Sequence, residues 1–168
     1  MKKFELTTEF ITNAFGKKLF RIKALVEFGD VKAGELGGYV EKEGNVSQAG
    51  NAWVYGNARV YGDARVYGNA EVYGDAWVSG NARVYGNARV SSDADYALVQ
   101  GFGTEFRCTT FYRGKNKKIM VNCGCFHGDL EGFRKQVKET RNGKIAKEYL
   151  MIADLMEYHF TSEDSSNE

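Results

Sequence analysis

The chain is 168 residues long, 43% apolar and 27% charged, which suits about one domain, or two small ones, with a buried core and argues against a disordered tail. A formal net charge of +1 argues against a general nucleic-acid binder working through a basic surface, and no apolar run approaches the roughly 18 residues needed to span a membrane. Three cysteines, an odd number, argue against a disulfide framework, and with no apolar signal region behind Lys2 and Lys3 they point to a reducing cytoplasm.

Residues 1–37 hold Phe4-Glu5-Leu6, then Asn13-Ala14-Phe15-Gly16, then Leu19-Phe20-Arg21-Ile22-Lys23-Ala24. Alternating residues on both sides of a turn predict a β-hairpin. Its expected task is to close the open edge of the segment that follows it.

That segment runs from Gly38 to Ala97 and divides into ten hexads. The chain has 20 glycines and no proline, and the hexads explain where the glycines go. Gly opens nine of the ten, from Gly38 to Gly86, and Ser92 opens the last. Asn or Asp follows in nine, Ala holds the third position from Ala52 to Ala94, and Val holds the fifth from Val54 to Val90. Val40 and Val46 take the third position in the first two hexads, so one unbroken phase is expected throughout.

Six is not a helical period, and Ala and Val two residues apart read as strand alternation. Gly-Asn and Gly-Asp suit sharp corners because both residue types tolerate positive φ. Short strands that always turn the same way cannot form hairpins. They predict a solenoid of triangular section, three hexads to a coil, with coils stacked about 4.8 Å apart. Repeats such as Val60-Tyr61-Gly62-Asp63-Ala64-Arg65 resemble the hexapeptide-repeat family. The resemblance implies a left-handed parallel β-helix of about three coils and, commonly, a homotrimer packed along its prisms. Tyr directly after the inward Val departs from the usual family pattern.

Residues 18 apart should share a face. One face then carries Trp53, Glu71 and Arg89 beside Tyr55 and Tyr73; a second carries Arg59 and Trp77 beside Tyr61; the third carries Ser47, Arg65 and Arg83 beside Tyr67 and Tyr85. Arg65 and Arg83 would stand one strand spacing apart, and opposed like charges need neutralising. Asp63, Asp75, a partner subunit or a bound anion could do it. Arg with Tyr and Trp is also the composition of interface hot spots. The candidate binding residues are therefore Arg59, Arg65, Arg83, Arg89, Trp53, Trp77, Tyr67 and Tyr85, facing a sister subunit, a host protein complex or an anionic nucleotide.

Catalysis lacks its usual carriers. Hexapeptide-repeat acyltransferases and metal enzymes use histidines on the coils or on loops that interrupt them, and the only two here, His127 and His159, lie outside the repeat. No catalytic residue and no cofactor is expected. Cys123, Cys125 and His127 offer three soft ligands for zinc without an evident fourth, so they read instead as strand-end residues before a turn at Gly124 and Gly128. Gly101-Phe102-Gly103 reads as a turn between strands.

Residues 98–168 predict a small α+β domain. Phe106, Cys108, Thr110 and Tyr112 alternate with Arg107, Thr109 and Phe111, and the strand turns at Gly114 and returns through Ile119 and Val121. Asp129 should cap a helix over Leu130, Phe133 and Val137, stopped by Asn142-Gly143. A second helix should run from about Ile145 to Tyr158 and bury Ile145, Tyr149, Ile152 and Met156. The polar tail from Thr161 to Glu168 is expected to be mobile. With 11 basic and 10 acidic residues from position 98 onward, this domain implies no sign-specific partner.

Arg21-Ile22-Lys23-Ala24-Leu25, Val31-Lys32-Ala33-Gly34-Glu35-Leu36-Gly37-Gly38, Gly50-Asn51-Ala52-Trp53-Val54, Asn122-Cys123-Gly124-Cys125-Phe126 and Glu148-Tyr149-Leu150 resemble a group of phage and prophage hexapeptide-repeat proteins. That likeness implies a host-cytoplasmic, non-enzymatic binding protein that antagonises a host factor, such as a nuclease defence complex or a nucleotide signal. An acyltransferase-like enzyme and a virion or assembly component are the alternatives.

Overall fold

The computed structural model describes residues 1–161; the expected mobile tail falls outside them except for Thr161, which ends the last helix. The protein is mainly β, with two helices at its C-terminal end. Among the described residues no helix is long and apolar enough to cross a membrane.

The chain opens with the expected hairpin, strands β1 (Phe4–Thr12) and β2 (Lys18–Ala24), paired antiparallel. β2 pairs with β3 (Leu36–Val40), the first strand of the solenoid. Seven two-residue strands follow: β4 (Trp53–Val54), β5 (Arg59–Val60), β6 (Arg65–Val66), β7 (Glu71–Val72), β8 (Trp77–Val78), β9 (Arg83–Val84) and β10 (Arg89–Val90). They stack in parallel register on three faces, β4-β7-β10, β3-β5-β8 and β6-β9. Ala and Val point inward, and each from Ala52 to Val90 is fully buried. Gly at each corner holds φ near +70° (from +64° to +73° between Gly50 and Gly86), which a side chain would strain.

The phase is not unbroken. Val40 pairs with Val60 and Val46 with Val66, twenty residues apart, where Val60 pairs with Val78 at eighteen. Val40 and Val46 thus belong to the Val column and not to the Ala position, and Gly38 stands where later coils have Ala. A Cβ on Gly38 would come within 2.7 Å of the Ala58 carbonyl oxygen. The two extra residues lie in Ser47-Gln48-Ala49 and free Gln48 to act as a strand partner. Its Oε1 accepts from the Lys3 and Phe4 amides at 2.7 and 3.2 Å, and its Nε2 donates to the Phe4 carbonyl at 3.1 Å.

Both ends of the solenoid satisfy backbone groups that would otherwise be buried without partners. At the first coil, Lys3 Nζ donates to the Gly50 and Ala52 carbonyls, and burial lowers its ammonium to about 8. Asn45 Nδ2 donates to the Gly62 and Ala64 carbonyls. At the last coil, Asp93 Oδ1 accepts from the Trp77 amide at 2.7 Å and Thr110 Oγ1 from the Arg83 amide at 3.0 Å. The tenth hexad does not complete the coil: Asp93–Asp95 is a 3-10 turn and Ala94 is exposed.

A four-stranded antiparallel sheet then covers that end, in the order β11 (Tyr96–Phe102), β12 (Arg107–Arg113), β13 (Ile119–Cys123), β14 (Phe126–Asp129). One face puts Tyr112 into the solenoid core. The other packs Phe111 and Val121 on helices α1 (Leu130–Thr140) and α2 (Gly143–Thr161). Asp129 caps α1 through the Gly132 amide at 2.9 Å, and Arg134 ties the helices together through Glu131, Asp154 and Glu157.

Candidate ligand-binding cleft

The hexad places one outward side chain between each Ala and Val, so each face carries one short column. On the first face Trp53, Glu71 and Arg89 are in register. Glu71 pairs with Arg89 at 3.3 Å and accepts from the Tyr55 hydroxyl at 3.3 Å, and Tyr55 stacks on Tyr73 with ring centroids 5.1 Å apart. Trp53 is not available for binding, against expectation: it is 2% exposed, because Phe4 and Phe28 pack edge-on against it. On the second face the Arg59 guanidinium lies 4.7 Å from the Trp77 ring centroid, and Trp77 remains 41% exposed.

The third face differs. Arg65 and Arg83 are paired in parallel register and both are exposed. Ser47 does not join their column, because the phase shift puts Asn45 there with its amide turned onto the coil edge. Among the described residues no carboxylate pairs with either arginine. Asp63 is held by Lys42 Nζ at 2.9 Å, which keeps its carboxyl below the usual range, and Asp75 accepts from Asn57.

The C-terminal sheet turns this face into a cleft of about 730 Å³, with Lys42, Asp63, Arg65 and Arg83 on the solenoid side and Phe106, Arg107 and Cys108 opposite. Arg107 adds a cation without a carboxylate partner among the described residues. Its guanidinium rests over Gly124, where a Cβ would come within 2.7 Å of Nη1. Desolvation raises the Cys108 thiol, so it brings no charge. Beside the cleft, Tyr67 and Tyr85 tie the solenoid to the sheet. Their rings lie 4.7 Å apart, Tyr85 packs on His127, and the Tyr67 hydroxyl accepts from Asn122 Nδ2.

Of the eight expected binding residues, the structure brings Arg65 and Arg83 to this cleft; Tyr67 lines an adjoining pocket with them, and Tyr85 packs between Tyr67 and His127. The structure places Arg59 with Trp77 and Arg89 with Glu71 on the other faces. Phe106, Arg107 and Gly124 went unassigned to any site in the sequence. The alternation expected to run through Phe106 starts only at Arg107, because Phe106 lies in the turn before β12 at φ +49°, and the pattern does not say what either residue faces.

Cys123, Cys125 and His127 do not converge. Cys123 pairs with Phe126 and Asn122 with His127 across a two-residue turn at Gly124-Cys125. Cys123 therefore faces the helices, His127 faces Tyr85, and Cys125 is exposed at the tip. Among the described residues no group of three or more His, Cys, Asp or Glu side chains could hold a metal ion.

Residues 52–66, 64–80 and 82–94 match the family described as the YdcK beta solenoid repeat. The match spans the regular coils, β4 to β10, and stops short of both caps. No curated protein matches the chain.

Proposed function

We propose that this chain is a non-enzymatic, phage-type binding protein that works in the host cytoplasm and sequesters an anionic nucleotide signal from the host factor that reads it. One observation carries this: Arg65 and Arg83 stand on adjacent strands, without a carboxylate partner among the described residues, at a cleft to which Arg107 adds a further positive charge. Adjacent like charges destabilise a sheet. A bridging oxyanion reverses that, and guanidinium groups match phosphate oxygens better than any other side chain. The likeness of the chain to phage hexapeptide-repeat proteins supports the host setting, a left-handed coil and a trimer.

A protein target, such as a nuclease defence complex, is the second reading. Exposed Trp77 over Arg59 favours it, because an aromatic ring with an arginine is a common interface anchor. The same face would serve self-association in a trimer.

Calorimetric titration with inorganic pyrophosphate and the four ribonucleoside triphosphates tests the first reading. The wild type should bind, and Arg65→Glu with Arg83→Glu should weaken binding at least about tenfold while circular dichroism stays unchanged. Equal binding by the variant overturns the assignment. Acetyl-coenzyme A turnover would favour the acyltransferase alternative, and presence in purified particles a structural role.

A further inference from the structure

The cationic side of the cleft has a neighbour that charge does not explain. Phe106 lines the same cleft, is 64% exposed and sits at φ +49°. A bulky side chain in the left-handed region is a true outlier, and one held open to water gains nothing from burial in return. Asn or Gly would suit that backbone better. What the phenyl ring supplies is an open aromatic face next to Arg107 and across from Arg65 and Arg83.

We propose that the cleft takes a nucleotide, with its phosphates on Arg65, Arg83 and Arg107 and its base stacked on Phe106. This rests on the anion-binding reading above and adds the ligand's second half. Three guanidinium groups can meet several phosphate oxygens at once, each in bidentate geometry. A base on a phenyl ring gains by stacking whatever its hydrogen-bonding edge, so the ring sets a class of ligand and not one base. The volume, about 730 Å³, lies in the range of clefts that enclose small organic ligands. Gly124 belongs to the same device: its missing side chain leaves the space that the Arg107 guanidinium occupies.

The test compares pyrophosphate, which has no base, with each ribonucleoside triphosphate, on wild type, Phe106→Gly and Phe106→Trp. Wild type should bind the nucleotides about tenfold or more tighter than pyrophosphate. Phe106→Gly should lose that advantage, keep its pyrophosphate affinity, and melt no lower than wild type, since Gly tolerates the backbone that Phe strains. Phe106→Trp should keep the advantage. If Phe106→Gly binds nucleotides as wild type does, the base platform is wrong while the arginine site stands. If wild type binds neither pyrophosphate nor nucleotide, the anion-binding reading and this one fall together. Should Phe106→Gly unfold, Phe106→Asn, which also tolerates positive φ, decides the question by the same comparison.

Discussion

The first and third faces of the solenoid are built on one template and differ in what stands between the inward Ala and Val. On the first face that place is taken by Trp53, Glu71 and Arg89: the tryptophan is covered, and the two charges meet each other at 3.3 Å. On the third it is taken by Arg65 and Arg83, in register and without an ion-pair partner among the described residues. The repeat fixes the interior and leaves the exterior free, so one face can complete itself while its neighbour keeps an unmet demand for negative charge. In this molecule the C-terminal sheet builds its cleft against the unmet face.

If the two faces share one interior, truncating that interior should cost the same on both. Val66→Ala and Val72→Ala each remove a fully buried branched side chain and should each destabilise by about 2 kcal/mol in chemical denaturation. Values that differ by more than roughly 1 kcal/mol would break the comparison, because the faces would then differ inside as well as out.

Exchanging the outer charges sharpens it. Glu71→Arg makes the first face resemble the third: it removes the Arg89 pair and the Tyr55 hydrogen bond and sets like charges in register. A loss of about 1 to 2 kcal/mol is expected. Arg83→Glu does the reverse, giving Arg65 a partner and a gain of about 0.5 kcal/mol at low salt, fading as salt is added. The stabilised variant should also bind pyrophosphate less well. A more stable protein with a weaker site would separate what the arginines cost the fold from what they do. If Arg83→Glu were as destabilising as Glu71→Arg, Arg83 would have a structural partner and the contrast between faces would fail.

The strength of the repeat decided what could be read in advance. Ala and Val at fixed spacing with Gly-Asn corners point directly to a three-sided coil, and Asp129 announces α1 with equal clarity. The two-residue slip after Val46 is silent because Gly38-Tyr39-Val40 fits either phase: Gly can be a corner, or stand where Ala would leave no room beside the Ala58 carbonyl. Trp53 occupies an outward position in the repeat, and residues distant in sequence, Phe4 and Phe28 among them, bury it. The cleft was half legible for the same reason. Arg65 and Arg83 follow from the period, whereas Phe106 and Arg107 reach them only through the docking of a sheet on the coil end, which no local pattern records.

The smallest effect is expected where the first face closes on itself. Burial first, then the charge on Glu71 and the hydrogen bond to it, push the Tyr55 phenol up to about 12. In the unfolded chain the phenol titrates near 10. Between those values the unfolded state has lost the proton that the folded state keeps, so stability falls as pH rises from about 10 to about 12, and below 10 this group has no effect. Tyr55→Phe should flatten that part of the stability profile. Glu71→Gln should bring the phenol part of the way back, as read from ultraviolet phenolate absorbance by difference against Tyr55→Phe, since burial remains when the charge is gone. A phenol that titrates near 10 in the folded wild type would mean that Glu71 does not hold it. The first face would then be no more self-contained than the third.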